Sequence, residues 1–363
     1  MYKPFLLLAG IALLGACEVV SDDKPKQDTT TLTPDSAQLP ATGAIGAESA
    51  GVPAVASDTT KAPADSGDVQ LDPATPKRGG VVFALARGLV TNQSPRCSID
   101  GQPLPCYQAP DGIVAVVPLP ADEPAGSRRL VFEHPTRRTT RTIQVTEQDF
   151  GRELVFLDSA RFALLSRQAD IARDARAVRQ ILALETPERK WTGSWRNIMA
   201  AGRTSLYGVE RFYYRASDST RAVTLSPSMR VRGAFAADTS APAAGDVPAW
   251  RHTGVDIPLA NRARIRPPAA GTVTKVGDYV LTGRTVLVDH GQGVSTAYFH
   301  LDTVLVSEGD QVTGQTVLGR VGTTGLTTGP HLHYGVYIHG KDVDPVAWHA
   351  MPDWYRRGQV ASQ

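Results

Sequence analysis

Net charge, cysteine and long apolar runs are all scarce in this 363-residue chain. Its 38 basic residues against 36 acidic ones leave a formal charge of +2. A balance that close carries no polyelectrolyte signal, and the Arg-rich patches at Arg128-Arg129, Arg137-Arg138 and Arg141 read as solvated faces. The sequence has neither a nucleic-acid-binding module nor a Gly-rich phosphate loop, so no nucleic-acid partner is expected. The N-terminal apolar run, Phe5 to Leu14, is ten residues long. A membrane-spanning helix needs about 20, which excludes a span there and fits the core of a signal peptide.

What is present begins at that run. It follows a short basic start, Met1-Tyr2-Lys3-Pro4, and ends in Leu14-Gly15-Ala16-Cys17. This resembles the bacterial lipobox, in which small residues precede a cysteine that is lipidated and becomes N-terminal on cleavage. Cys17 is therefore the expected lipidation site, with residues 1–17 as a lipoprotein signal peptide. By the same resemblance, Glu18 after the cysteine points to the outer membrane in a two-membrane envelope. The expected location is the cell envelope, with the chain held to a membrane by its lipid. Residues 18–77 are rich in Thr, Ser, Ala, Asp, Pro and Gly and cannot bury enough apolar surface to fold. They read as a disordered tether, with an r.m.s. span of about 45 Å as a flexible coil.

Residues 78–148 change to short β-type runs, such as Gly80–Leu85, Gly112–Val117 and Arg129–Phe132. Turn signals at Asp100-Gly101, Asp111-Gly112 and Pro124-Ala125-Gly126 separate them. A small Ig-like β-sandwich is expected. Cys97 and Cys106 fall inside it, and in an exported protein they are expected to form a disulfide closing a surface loop. Residues 149–190 read as a connecting helix from Leu157 to about Leu184, capped by Asp158 or Ser159. Leu164, Ile171, Ala175, Val178 and Leu182 form its apolar stripe, and Pro187 ends it. From Trp191 and Trp195 the pattern returns to β-like runs at Arg211–Tyr214 and Ala222–Leu225.

Seven of the eight histidines lie from His252 onward, so the chemistry is expected in the last third of the chain. His331 and His333 follow the glycine- and threonine-rich run Gly322–Gly329 and begin a strand-like stretch. Residues i and i+2 of a strand share a face about 6.6 Å apart, so the two imidazoles lie side by side. His252 and Asp256 are four apart in a segment whose β-branched residues, Gly254 and Pro258 argue against helix. In a straight strand they would be about 13 Å apart; a bend at Gly254 can bring them together. His300 closes another strand-like run. Two histidines and a carboxylate are a common ligand set for catalytic zinc, which activates water at neutral pH. Two spare histidines then serve proton transfer and oxyanion stabilisation.

The ordered motifs His252-x-Gly-x-Asp256, Gly271-Thr272-Val273, Asp289-His290-Gly291, Tyr298-Phe299-His300-Leu301, the glycines from Gly309 to Gly325, and Thr327–His333 resemble the lysostaphin/LytM-type zinc metallopeptidases. Asp344-Pro345 and Trp348 fit the closing segment, so the resemblance covers about Arg251 to Trp348. It implies His252, Asp256 and His333 as Zn2+ ligands and His300 and His331 as catalytic histidines. Spacing alone does not choose between His331 and His333; that choice is the resemblance's. It further implies a zinc metalloendopeptidase acting on peptidoglycan stem peptides, in a peptidase domain over residues 191–363. The expected fold is mainly β: a C-terminal LytM-type antiparallel sheet with an open groove, preceded by a helix and the Ig-like sandwich. Two departures stand out. Met229–Pro248 looks like a variable loop, and Trp250 stands where some members place a tyrosine before the first histidine. His134 reads as a lone residue in the β-domain, His339 and His349 as surface or packing residues, and His290 as structural. A non-catalytic LytM-like module that activates a cell-wall amidase is the alternative, disfavoured because such modules lose ligands and all five residues are present. A structural envelope lipoprotein leaves the five residues unexplained.

Overall fold

The computed structural model describes residues 68–216, 229–232 and 249–357. The signal segment, Cys17, most of the tether, the run Ala222–Leu225 and most of the variable loop lie outside the described residues. The first eight strands are β1 (Val69–Asp72), β2 (Val81–Arg87), β3 (Arg96–Ile99), β4 (Gln102–Leu104), β5 (Cys106–Ala109), β6 (Gly112–Pro118), β7 (Gly126–His134) and β8 (Arg137–Val145). They form two four-stranded sheets in the orders β1-β2-β6-β5 and β4-β3-β7-β8. Asp100 and Gly101 make the tight β3–β4 turn with φ of 49° and 79°, the positive values a two-residue hairpin loop needs. The expected tether end at residue 77 is too late, because β1 pairs with β2 along its whole length.

The sheet containing β2 and β6 is covered on both sides. Val82, Ala84, Ala86, Ile113, Ala115 and Val117 face the second sheet. Phe83 turns the other way, against Trp348 and Tyr355 of the C-terminal region. This is why β2 reads as an unbroken apolar run rather than an alternating one. Burying a side chain such as Phe83 stabilises by about 1.5–3 kcal/mol. The disulfide Cys97–Cys106 is present, but it does not close a surface loop. Both cysteines are buried in the sandwich core, and the bond joins β3 of one sheet to β5 of the other.

The expected single helix from Leu157 to Leu184 is not what forms. Residues Arg152–Leu157 are strand β9, running parallel to β10 (Glu210–Arg215) and β11 (Met229–Arg232); β12 (Ala249–Arg251) joins antiparallel to β10. Asp158 does cap a helix, α1 (Ser159–Ala163), accepting the Arg161 N–H at 2.8 Å. A tighter turn at Leu164–Ser166 then breaks the path, and α2 runs from Gln168 to Leu182. Leu164 therefore lies off the stripe of α2. Val178, Ile181 and Leu182 pack on Leu287, Ala297, Phe299 and Tyr337.

The remaining strands are β13 (Val255–Ile257), β14 (Arg264–Ile265), β15 (Gly271–Tyr279), β16 (Gly283–Gly291), β17 (Val294–Val304), β18 (Gln311–Val312), β19 (Gly319–Val321), β20 (Leu332–Ile338) and β21 (Lys341–Val343), followed by α3 (Pro345–His349) and α4 (Asp353–Arg357). They build one antiparallel sheet whose spine is β13-β20-β17-β16-β15-β18. Trp191, Trp195 and Trp348 pack edge to face in its core. His290 is fully buried, as its structural reading expects, and His349 packs on Trp195 and Tyr334. His339 pairs with Glu185, and His134 bonds to Thr136 and the Val90 carbonyl.

Candidate metal centre

Strand register makes the site. β13 pairs antiparallel with β20 so that Asp256 stands opposite His333. His252 lies in the turn between β12 and β13, and Gly254 is its hinge. A Cβ on Gly254 would meet the Tyr334 carbonyl and come within 2.7 Å of His333 Nε2, so only glycine permits this approach. Three donor atoms converge: His252 Nε2 lies 2.9 Å from His333 Nδ1 and 3.0 Å from Asp256 Oδ1, and His333 Nδ1 lies 3.3 Å from Asp256 Oδ1. Ligands at about 2.0–2.1 Å around a tetrahedral zinc stand roughly 3.3 Å apart, so the spacing fits a metal. Among the described residues this trio is the His/Cys/Asp/Glu group with metal-holding geometry.

The hydrogen bonds point the same way. His252 Nδ1–H donates to the Leu206 carbonyl at 2.8 Å, leaving Nε2 bare for a metal, the usual arrangement behind a ligating imidazole. The ring of His333 is stacked on Phe299, centroids 4.8 Å apart at 11°. Burial, and after it the Arg211 charge, lowers the pKa of His252. Burial pushes His333 down to about 4, with the Asp256 contact opposing it. Both imidazoles are thus held neutral, the form that ligates. Burial alone would raise the Asp256 carboxyl, but Arg211, then His252 and His331, outweigh it and hold the group well below the usual carboxylate range.

His331 and His300 flank the trio. His331 immediately precedes β20, and its Nε2 is 3.5 Å from Asp256 Oδ1, outside the converging set. Its Nδ1–H donates to the Gly329 carbonyl at 2.9 Å. His300 sits within β17, where the pairing with β16 shifts register between Tyr298 and Leu301, rather than at a strand end. Its backbone φ is 63°, a left-handed conformation that non-glycine residues adopt at a cost of about 1–3 kcal/mol. Its Nδ1–H donates to the Thr324 carbonyl at 2.9 Å, and its ring centroid lies 4.9 Å from that of His331. Burial, then His331 and His333, depress its pKa well below the ordinary value.

The groove expected to lie open is covered. His252, Asp256, His300, His331 and His333 are 4, 1, 7, 6 and 5% exposed. Helix α2 lies over the sheet face that continues from them through Phe299 and Tyr337 and lines a pocket of about 220 Å³ there, open to solvent on one side. Sequence reasoning also missed three polar residues behind the trio: Glu153, Ser205 and Arg211. Arg211 Nη2 donates to Asp256 Oδ2 at 2.6 Å. The available signal was a charge set directly beside the apolar or aromatic run of each strand, Glu153 before Leu154–Leu157 in β9 and Arg211 before Phe212–Tyr214 in β10, where charged residues are seldom buried unpaired.

Comparison with known proteins agrees with this geometry. Residues 250–345, which include all five site residues, match Peptidase family M23. The DD-carboxypeptidase/endopeptidase Mpg of Neisseria meningitidis serogroup B is 42% identical over 99 residues, covering 27% of this chain and 23% of that protein. The Peptidoglycan DD-endopeptidase ShyA of Vibrio cholerae serotype O1 is 32% identical over 93 residues, covering 26% of this chain and 22% of that protein. The chain thus spans less than a quarter of the length of these curated relatives. A Pseudomonas aeruginosa crystal structure named as a peptidase M23 shares the fold, with a TM-score of 0.51 at 23% identity over 76% of this chain and 95% of that one. Matched in sequence across the converging histidines and carboxylate, this protein carries a peptidase family M23 domain at residues 250–345.

Proposed function

We propose that this chain is a zinc metalloendopeptidase that hydrolyses peptide cross-links of peptidoglycan. The observation that carries the reading is the convergence of His252 Nε2, His333 Nδ1 and Asp256 Oδ1 beside two further imidazoles. His252, Asp256 and His333 would hold the ion. Bound zinc lowers the pKa of water toward 7 and polarises a carbonyl. With Nδ1–H tied to the Thr324 carbonyl, His300 keeps a bare Nε2, and burial keeps the ring neutral. It takes the proton of the attacking water and returns it to the leaving amine. His331, oriented by the Gly329 carbonyl, stabilises the developing oxyanion once its Nε2 carries a proton. The names of the two relatives, a DD-carboxypeptidase/endopeptidase and a peptidoglycan DD-endopeptidase, support peptidoglycan peptides as substrate. Lipidation at Cys17 would hold the enzyme at the envelope where that substrate lies.

The test is digestion of purified sacculi by the zinc-loaded chain lacking residues 1–17, with products read by mass spectrometry. Because α2 covers the groove face, Val178→Asp is assayed beside the wild type, so that a covered site is not mistaken for absent activity. Zinc-dependent loss of cross-linked dimers in either protein supports the reading. Intact dimers with both sink it.

A further inference from the structure

Arg211 lies outside residues 250–345, and the mechanism above gives it no task. Its place is nonetheless closely specified. Parallel pairing of β9 with β10 sets Arg211 beside Glu153, and an isolated bridge sets Ser205 beside Asp256. Arg211 Nε donates to Glu153 Oε2 at 2.9 Å, while its Nη2 donates to Ser205 Oγ at 2.7 Å and to Asp256 Oδ2 at 2.6 Å. Ser205 Oγ in turn donates to Glu153 Oε2 at 2.8 Å. Glu153, Ser205 and Asp256 are each 1% exposed.

Burying an ion network of this kind is a poor way to gain stability, since well-packed apolar residues of similar volume commonly do as well or better. The geometry suits another purpose. A carboxylate turns about its Cβ–Cγ bond and can offer a cation one oxygen or two. Here Arg211 holds Oδ2, and Oδ1 is the oxygen turned to His252 and His333. A lone arginine so close would repel a divalent cation; the negative charge of Glu153 offsets it and leaves Asp256 its full anionic character. The rigid guanidinium fork spans three partners at once, which a lysine cannot do.

We propose that Arg211, anchored by Glu153 and Ser205, is a positioning residue that fixes Asp256 as a one-oxygen ligand of the metal. The inference rests on the metal centre of the proposed function. It is tested on the full chain with Arg211→Gln, Arg211→Lys and Glu153→Gln. Zn2+ affinity is measured by competition with a chelator, the visible spectrum of the Co2+-loaded protein reports coordination, and the metal-free proteins are melted thermally. All three variants should bind Zn2+ about 10–100-fold more weakly. The Co2+ spectrum should change in the two Arg211 variants, and lysine should not rescue it. A lower melting temperature with wild-type Zn2+ affinity and Co2+ spectrum would mean a merely structural role and overturn the proposal. If the Arg211 variants do not fold, Glu153→Gln and Ser205→Ala decide by the same two readouts, wild-type values again overturning it. A wild type that binds zinc yet leaves peptidoglycan uncut defeats the functional reading alone; a wild type that takes up no zinc defeats both.

Discussion

His290 tests the energetics of burial away from the ligands. Its ring is fully buried in β16; Nδ1–H donates to the Ala270 carbonyl at 2.7 Å and Nε2 accepts from the Thr296 hydroxyl at 2.8 Å. Burial pushes its pKa down to about 4 from the ordinary 6.5, with the Ala270 carbonyl and Asp289 opposing only in part. Between those values the unfolded chain binds a proton here that the folded chain does not. Stability therefore falls as pH drops through the window. At about 1.4 kcal/mol per pH unit, the loss reaches about 3 kcal/mol at pH 4. His290→Gln has no titrating ring. It should be less stable than wild type at pH 8 by about 1–3 kcal/mol, through hydrogen bonds lost or left unsatisfied. That gap should then shrink by about 3 kcal/mol at pH 4. Urea unfolding of both metal-free proteins across the range, extrapolated to water, supplies the numbers. A gap independent of pH would refute the reasoning.

The histidine roles separate by zinc content. His333→Ala should lose both zinc and cross-link cleavage, whereas His300→Ala and His331→Ala should keep near-stoichiometric zinc and lose activity roughly 100-fold or more; normal zinc in His333→Ala would reassign the ligands. Cys17→Ser should leave the membrane fraction for the soluble one, since a lipid rather than a spanning helix is the expected anchor; retention in the membrane would exclude that. Replacing Cys97 and Cys106 together with alanine should cost about 2–4 kcal/mol in urea unfolding, and both thiols should resist alkylation in the unreduced wild type. Free labelling of either would remove the bond.

Much of the site was legible because its chemistry is written in local order. His252-x-Gly-x-Asp256 and His331-x-His333 name the ligand types, and Gly254 announces the bend. Local rules also placed the Asp100-Gly101 turn and the Asp158 cap, since each depends on residues within one turn of chain. The strand Arg152–Leu157, inside the region expected to be a connecting helix, was not legible, because a short apolar run is the same pattern in a buried strand and in a buried helix segment.

What only the tertiary structure decided is pairing. No local pattern says that β13 lies on β20 with Asp256 opposite His333; spacing leaves His331 and His333 equivalent, the resemblance picks His333, and the register is what sets it across from Asp256. Nor does the sequence say that Cys97 and Cys106 lie on different sheets, or that the stripe of α2 packs over the groove rather than elsewhere. The anchoring of Asp256 by Arg211 and Glu153 is the extreme case, because the three residues come from three separate strands. The sequence by itself determined which side chains offer metal-ligating and proton-accepting atoms. Which of them meet was decided by burial: charged groups excluded from water must find partners, and those partners are set by how sheets stack, not by distance along the chain.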